Sequence, residues 1–124
     1  MAVWRTLLVG TDGSVTAGRA VARAVALKHA TGARLLVAYV GSPDPGQEVL
    51  HAVEALYPDA EVQTRLLGGD PADALLGIAA AESVDLIVVG NKGMSGAQRF
   101  LLGSVPNKVS HRAGCDVLVV HTTR

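Results

Sequence analysis

The chain has 124 residues, of which 49% are apolar and 18% charged, values typical of one ordinary globular domain. Its 11 basic and 11 acidic residues balance to a net charge of zero, so we expect neither nucleic acid nor an anionic membrane as a partner. The longest uninterrupted apolar run, residues 35–40, is far too short to span a membrane.

The cellular setting is indicated by the start of the chain and by its cysteine content. The first residues lead directly into a strand pattern, without a charged-then-apolar leader or a small-residue cleavage site, so we expect a cytoplasmic protein. The single Cys115 has no partner for an internal disulfide and no metal-ligand spacing. We interpret it as a small packing residue at the start of a strand rather than as a redox thiol.

The first elements in chain order are two buried strands joined by a helix. The apolar run Thr6–Gly10 predicts a buried strand, and the turn after it leads into a helix over Val15–Thr31 that ends at Gly32. Arg34–Val40 is apolar almost throughout, which is typical of a parallel strand covered on both faces.

The next part of the chain predicts a loop, a short helix and an outer strand. Residues 41–46 have the composition of a loop. Apolar residues at three-to-four spacing predict a helix over residues 47–57, which Pro58 ends. Residues 61–67 alternate partly between apolar and polar, which predicts a strand with one less buried face.

A third helix and a fourth strand follow. Asp70 is a plausible helix N-cap, and Pro71 fits the first helical position, where its missing N–H group is tolerated. The run over residues 85–89 then predicts another buried strand.

The glycine-rich segment 90–103 begins where that strand stops and ends where a helical pattern starts. Ser95 begins a capping-box spacing that predicts a small helical turn ending at Gly103. Ser104 is the predicted N-cap of the next helix, with Pro106 in its first turn. Residues 117–121 (VLVVH) are the last predicted strand.

Alternation of apolar strands with amphipathic helices predicts an α/β fold. The element order indicates a three-layer, doubly wound open sheet of five parallel strands with about four helices, because crossover connections place helices on both faces. No linker or internal repeat interrupts the pattern, so residues 1–124 are interpreted as one domain.

Candidate ligand groups lie where the strands end. In open parallel sheets, ligands bind beyond the carboxyl ends of the strands, and Asp12, Val40 and Gly90 all lie at that edge. The Asp12 carboxylate could accept hydrogen bonds from ribose or adenine, or hold a magnesium ion through water; otherwise it only forms a turn. Lys92 could neutralise phosphate and Ser104 could bind it at a helix start, although a solvated charge and a helix cap are the alternatives.

Other nucleotide-binding and catalytic patterns are absent. There is no Walker-type loop, and the first strand is not followed by the Gly-x-Gly-x-x-Gly turn of dinucleotide domains. Asp70 is a weak match to the aspartate of a phosphoacceptor domain. The histidines are scattered along the chain without an accompanying nucleophile and base, so we interpret each as structural or surface-exposed.

The spacing of the glycine-rich segment resembles a known signature. Gly90-x-x-Gly93, nine further residues and then Gly103-Ser104 resemble the ATP-binding signature of the universal stress protein family. The resemblance covers essentially the whole chain and includes residues 7–14 (LLVGTDGS), 85–90 (DLIVVG) and 115–120 (CDVLVV).

The resemblance implies an adenosine half and a phosphate half of one site. Asp12, beside Thr11, and the backbone of Val40 would bracket adenosine. The phosphate half would contain glycines that approach the ribose and phosphates and a helix start that holds the phosphate oxygens: Gly90, Gly93, Gly103, Ser104 and Val105. The implied cofactor is ATP with magnesium or manganese, and the implied assembly is a homodimer through residues 117–121.

The sequence also departs from the family pattern. Asn91 and Lys92 stand where the family usually has a small hydroxyl residue followed by arginine or histidine, which implies different phosphate contacts. Gly10 and Asp116 occupy positions that are often proline in the family, or alanine in the case of Gly10. The chain is short between the second and third strands, which implies a more open adenine side.

The function implied is an ATP-binding, nucleotide-responsive stress or signalling module. Hydrolysis or self-phosphorylation would be slow at most, since no positioned base, arginine finger or pair of metal carboxylates is present in the sequence. The alternative is a dimeric interaction protein of the same fold that does not bind ATP. An adenylating enzyme is a third class, for which the chain has little room.

Overall fold

The computed structural model describes residues 3–91 and 103–122. Its strands are β1 Thr6–Gly10, β2 Arg34–Val40, β3 Gln63–Leu67, β4 Leu86–Gly90 and β5 Asp116–Val120. Its helices are α1 Val15–Thr31, α2 Pro43–Leu56, α3 Pro71–Ala81 and α4 Ser104–Arg112, with a 3₁₀ turn at Pro58–Ala60. The expected α/β alternation is confirmed.

The strands form one parallel sheet in the order β3-β2-β1-β4-β5. The chain begins at the centre, moves outward to β3, and returns through α3 to β4 on the other side of β1. Helices α1 and α2 cover one face, and α3 and α4 cover the other. The direction of winding therefore reverses between β1 and β4, which is where open α/β sheets bind ligands.

Helices α1 and α3 begin where the sequence predicts, and α1 also ends as predicted, because these ends depend on local chemistry. The Ser14 hydroxyl accepts a hydrogen bond from the Ala17 N–H at 3.1 Å at the start of α1, and Gly32 ends that helix with φ of 74°. Asp70 accepts from the Asp73 N–H at 2.9 Å at the start of α3, with Pro71 in the first helical position.

The predicted loop 41–46 and the predicted helix start at residue 47 are wrong, since α2 begins at Pro43. Pro43 and Pro45 lie in the first turn, where the N–H groups that proline lacks have no partner within the helix. Gly46 is buried and lets α2 lie close against β2 and β3. Proline therefore starts this helix rather than preventing it.

Several other predicted boundaries differ by one or two residues. The third strand begins after Glu61, which has a left-handed φ of 51°, and the 3₁₀ turn before it was not predicted. Asp85 directly precedes β4 instead of belonging to it, and its carboxylate accepts from the Arg5 and Thr6 N–H groups at 2.9 Å each. The last strand is Asp116–Val120, one residue earlier than predicted.

The N-cap of the helix after the glycine-rich segment lies one residue earlier than the sequence predicts. Gly103 is the N-cap of α4, and Ser104 is the first helical residue rather than the cap. Gly103 takes the extended conformation of a cap and accepts the first intrahelical bond from Asn107. The predicted small turn within residues 90–103 falls mostly outside the described residues.

Cys115 lies directly before β5 and packs, half-buried, against the core between the sheet and helices α3 and α4. Burial raises the pKa of its thiol, and the nearby carboxylates of Asp116 and Asp85 raise it further. The thiol is therefore held in its neutral, weakly nucleophilic form at neutral pH.

Replacement of Gly46 by alanine should lower the free energy of unfolding by about 1–2 kcal/mol. A β-carbon there would lie 2.5 Å from Leu66 Cδ1 and 2.7 Å from Tyr39 Cδ1, so both side chains must move. The matched control is Gly77→Ala in α3, whose β-carbon meets no atom within 4 Å and which should stabilise the protein by about 0.5–1 kcal/mol. Urea unfolding of both variants measures the difference, and stabilisation by Gly46→Ala would contradict this packing.

An ion-pair cluster should make stability depend on pH. Glu82 accepts from Arg65 Nε at 2.6 Å and lies 3.4 Å from Arg34 Nη2. The hydrogen bond from Arg65 lowers the pKa of Glu82 more than desolvation raises it. A carboxyl group with a lowered folded-state pKa stabilises the protein above its unfolded pKa and loses that contribution as the pH falls through its folded pKa.

We therefore expect Glu82→Gln to lower the urea midpoint at pH 7. The gap between the variant and the unsubstituted protein should close as the pH falls below the ordinary glutamate pKa. A gap that stays constant down to pH 2 would contradict the assignment.

Candidate functional site

The strand register brings the two turns of the predicted site to the same level. Val9 pairs with Val88 across β1 and β4, so Thr11, just beyond β1, lies level with Gly90 at the end of β4. Gly10 pairs with Ala38, which places Asp12 level with Val40 on the other side of β1. The carboxyl edge of the sheet therefore collects the predicted adenosine and phosphate residues that the structure describes.

The turn after β1 is fixed by its own side chains. Thr11 is 2% exposed; its N–H donates to the Ala38 carbonyl at 2.9 Å, and its hydroxyl accepts from the Gly13 N–H at 3.1 Å. Asp12 is exposed, and its Oδ1 accepts from the Ser14 N–H at 2.9 Å. The carboxylate therefore also forms the turn, and its position at the exposed edge leaves it accessible to a ligand.

Asn91 ties together three pieces of chain at the end of β4. Its N–H donates to the Val120 carbonyl at 2.8 Å, and its own carbonyl accepts from the Gly103 N–H at 2.9 Å. Its side-chain oxygen accepts from both the N–H and the hydroxyl of Thr122, each at 2.9 Å. Asn91 thus holds the end of β4, the end of β5 and the start of α4 in fixed positions.

Sequence reasoning missed this role of Asn91, which it treated only as a departure from the family pattern. Thr122, which is 1% exposed, also accepts a 2.6 Å hydrogen bond on its carbonyl from Arg19 Nη1 of α1. The partners lie 31 and 103 residues apart in sequence, so no local pattern indicates either bond. Only the sheet order brings them together.

Gly90 lies against the same threonine. A β-carbon at Gly90 would lie 3.0 Å from Thr122 Cγ2 and 3.4 Å from its hydroxyl oxygen. A larger residue there would therefore press on the Asn91–Thr122 contact.

The start of α4 completes the edge. Gly103 is buried, and no N-cap side chain bonds to the first turn, in contrast to α1 and α3. The positive end of the helix dipole therefore meets the edge without a capping oxygen at the N-cap position. Val105 is buried and packs against the core below, and Ser104 is exposed.

Space between these elements is small. A cleft of about 20 Å³ lies between the ends of β1 and β4, and the residues that line it come from both strands and from α1, α4 and the chain after β5: Gly10, Thr16, Ala17, Ala20, Val89, Gly90, Val105 and Thr122. This volume holds about one water molecule and no base. A nucleotide would therefore lie over the edge of the sheet rather than inside it.

The remaining predicted residues are distributed as follows. Val40 is half-buried, and its side chain packs toward the core on the α3 and α4 face, so its backbone is the part at the edge. Lys92 and Gly93 lie outside the described residues. Lys108 of α4 is paired with Asp70 and Asp73 at 3.3 and 2.9 Å, and these pairs raise its pKa.

Residues 3–91 and 103–122 contain neither a candidate metal centre nor a membrane-spanning helix. No group of three or more histidine, cysteine, aspartate or glutamate side chains is arranged there to hold a metal ion. No described helix is long and apolar enough to cross a membrane.

The fold places this chain among the doubly wound α/β proteins. Proteins of this class bind ligands where the winding reverses, which here is between β1 and β4. The family model of the universal stress protein family matches residues 4–65 and 47–121, two segments that together cover nearly the whole chain. The chain therefore belongs to the universal stress protein family.

Individual relatives agree with this assignment. Universal stress protein Rv1636 of Mycobacterium tuberculosis strain H37Rv is 39% identical over 147 aligned positions, which cover 99% of this chain and all of the relative. A universal stress protein solved in complex with cAMP is 40% identical and superimposes with a TM-score of 0.84, covering 97% of this chain and 98% of the other. The protein MJ0577 shares the fold, with a TM-score of 0.85, 22% identity and 99% coverage of both chains.

Proposed function

We propose that this chain binds an adenine nucleotide, with ATP as the first candidate, across the carboxyl edge between β1 and β4. The observation that carries the proposal is the convergence of the turn after β1, the end of β4 and the start of α4 at this edge, the last two joined by Asn91. The protein acts as a nucleotide-responsive stress or signalling module, whose function depends on binding the nucleotide rather than on turning it over.

The adenosine half consists of the turn after β1 and the end of β2. Asp12 accepts hydrogen bonds from the ribose hydroxyls, while the Ser14 N–H holds the carboxylate in place. The buried Thr11 keeps the turn in position through its bond to Ala38. The backbone of Val40 meets the adenine edge.

The phosphate half combines the glycine turn and the start of α4. Gly90 and Gly93 let the chain approach the ribose and phosphates, and Lys92 neutralises phosphate charge. The phosphate oxygens bind at the helix start formed by residues 103–105, where the helix dipole favours an anion. The Gly103 N–H itself already donates to the Asn91 carbonyl.

A magnesium or manganese ion would bind at this site only together with the nucleotide phosphates. Asp12 is the described carboxylate in the turn after β1, and no described metal cluster lies near it. A divalent cation would therefore be held by phosphate oxygens and by Asp12 through water.

Slow or absent turnover follows from the charges near the edge. Arg19 is bound to the Thr122 carbonyl, and Lys108 is paired with Asp70 and Asp73. Both of these described cations are already bonded within the chain, and we assign neither of them to a transferring phosphoryl group. Slow hydrolysis or self-phosphorylation is the upper limit of the proposed chemistry.

A cyclic nucleotide is the second candidate. The solved relative in complex with cAMP is 40% identical over 97% of this chain, so a ligand with one phosphate is a specific alternative to ATP. A single phosphate would need only the helix start at Gly103. Direct comparison of the two nucleotides distinguishes these candidates.

The proposal extends to assembly and location. We place residues 1–124 in one domain and in the cytoplasm. The chain dimerises through the outer edge of β5, where Val119 is 38% exposed and the unpaired edge would otherwise invite non-specific pairing. The competing possibility is a dimeric interaction protein of this fold that binds no nucleotide.

The test is calorimetric titration of the full chain with ATP and with cAMP, each with and without magnesium, after analysis of the purified protein for bound nucleotide. Asp12→Asn is the informative variant, because its side-chain oxygen preserves the turn while its NH₂ group cannot accept from a ribose hydroxyl. We expect this variant to bind about tenfold more weakly, the equivalent of one lost charge-assisted hydrogen bond. No bound nucleotide and no heat with either ligand would eliminate the proposal.

A further inference from the structure

A second concave surface lies on the α1 and α2 face of the sheet, separate from the small cleft between β1 and β4. This surface, the α1–α2 groove, has a volume of about 340 Å³. Its main lining residues are Gly18 and Val21 of α1 and Val49, Ala52, Val53 and Leu56 of α2. Leu56 remains 69% exposed, so the described helices leave part of this apolar surface uncovered.

The groove exists because two glycines keep side chains out of it. Gly18 lies on α1, and a β-carbon there would meet no atom within 4 Å. Gly13, which has a φ of 85°, brings the turn after β1 against α2, with its β-carbon position 2.8 Å from Val49 Cγ2. The turn after β1 therefore lies against α2 at Gly13, while the space beside Gly18 stays open.

The size and lining of the groove are those of a small-molecule site. Ligand pockets generally have volumes of about 300–1,000 Å³ and are mostly apolar with a few polar groups. An apolar cavity of roughly 150 Å³ is known to bind benzene. The groove, with a volume of about 340 Å³, therefore has room for a two-ring body.

The charge of the groove decides the class of ligand. Among the described residues that line it, Glu48 is the charged one, and the exposed Asp12 lies in the adjoining turn. No described lysine, arginine or histidine lines the groove. An anion would therefore meet only negative charge, whereas an ammonium group would find a counterion beside the apolar walls.

We propose that the α1–α2 groove binds small organic cations that consist of an apolar ring body and an ammonium group. The ring body lies between Gly18 and the apolar face of α2, and the ammonium group faces Glu48. The turn after β1, whose residues Thr11, Gly13 and Ser14 also line the groove, lies between this site and the nucleotide edge.

The test is equilibrium dialysis of the full chain against 1-naphthylmethylammonium, with 1-naphthylacetate as the anion of the same ring system. We expect the cation to bind at least threefold more tightly than the anion. Glu48→Gln should weaken cation binding by about two- to fivefold, the range for an exposed ion pair, and should remove the preference over the anion.

The decisive variant is Gly18→Leu, whose β-carbon meets no atom within 4 Å, whose side chain is expected to occupy the groove, and which improves the helix propensity of α1. We expect it to weaken cation binding at least tenfold while raising the melting temperature. The matched control is Gly77→Leu, in which leucine replaces an exposed α3 glycine whose β-carbon also meets no atom within 4 Å; it should bind the cation like the unsubstituted protein.

Three results would overturn the proposal. Equal binding of cation and anion in the unsubstituted protein would remove the role of Glu48. Displacement of the naphthyl cation by ATP would merge the groove with the nucleotide edge. A shift from dimer to monomer in Gly18→Leu, measured by sedimentation and without any cation binding, would assign the groove to a second copy of the chain.

Discussion

Replacement of Asn91 by alanine is expected to lower the free energy of unfolding by about 3 kcal/mol. The variant removes the acceptor of two hydrogen bonds from Thr122, whose N–H and hydroxyl both lie 2.9 Å from the Asn91 oxygen. Thr122 is 1% exposed, so water cannot easily replace that acceptor. Each buried donor left without a partner costs about 1–3 kcal/mol, and equilibrium unfolding in urea measures the sum.

A double-mutant cycle isolates this contact. Thr122→Val removes the hydroxyl but keeps the backbone N–H, so it should cost less than Asn91→Ala. The two changes together should cost less than their sum, because the hydroxyl bond is lost only once. Asn91→Asp keeps an acceptor oxygen and should retain most of the stability at neutral pH. A loss below 1 kcal/mol in Asn91→Ala would contradict the role assigned to Asn91.

Replacement of Gly103 by valine is expected to abolish stabilisation by ATP. A ligand that binds only the folded state at about a hundredfold excess over its Kd adds about 2.7 kcal/mol. The buried Gly103 has φ of −64° and ψ of 164°, which an L-residue can adopt, so the backbone itself tolerates valine. Its branched side chain would stand at the start of α4 and obstruct the phosphate. Thermal unfolding with and without ATP measures the effect.

The matched control is Gly114→Val, just after the C-terminal end of α4. A β-carbon at Gly114 meets no atom within 4 Å, and the residue is exposed. This variant should keep the full stabilisation by ATP. If the folded state of Gly103→Val is too unstable to measure, Gly103→Ala replaces it. This smaller side chain should give an intermediate ATP shift. An undiminished ATP shift in a folded Gly103→Val would place the nucleotide elsewhere.

The fold was predictable because its signals are local and repeated. Apolar runs such as Arg34–Val40 fix the strands, while Ser14, Asp70 and Gly32 fix helix ends through bonds within a few residues. The start of α2 was predicted wrongly because Pro43 was interpreted as a loop residue. Whether proline starts a helix or interrupts it depends on what the following turn packs against, here Tyr39 and Leu66 beside Gly46.

The candidate site was predictable only in part. Asp12, Val40 and Gly90 could be placed at one edge because parallel strands end together, and Gly103 was assigned from the glycine spacing and the family resemblance. The contribution of Asn91 could not be predicted, since its acceptor oxygen serves a residue 31 positions away. The α1–α2 groove was equally hidden, because it depends on how closely two helices approach.

The sequence by itself determined the order of strands and helices, the caps of α1 and α3, and the glycine spacing that marks the edge between β1 and β4. Those features depend on interactions between residues that are neighbours in the sequence. Only the tertiary structure decided that Asn91 joins two strand ends to α4, that Arg19 reaches the Thr122 carbonyl and that Gly18 opens a groove. These depend on the sheet order β3-β2-β1-β4-β5 and on helix packing, which bring together groups far apart in sequence.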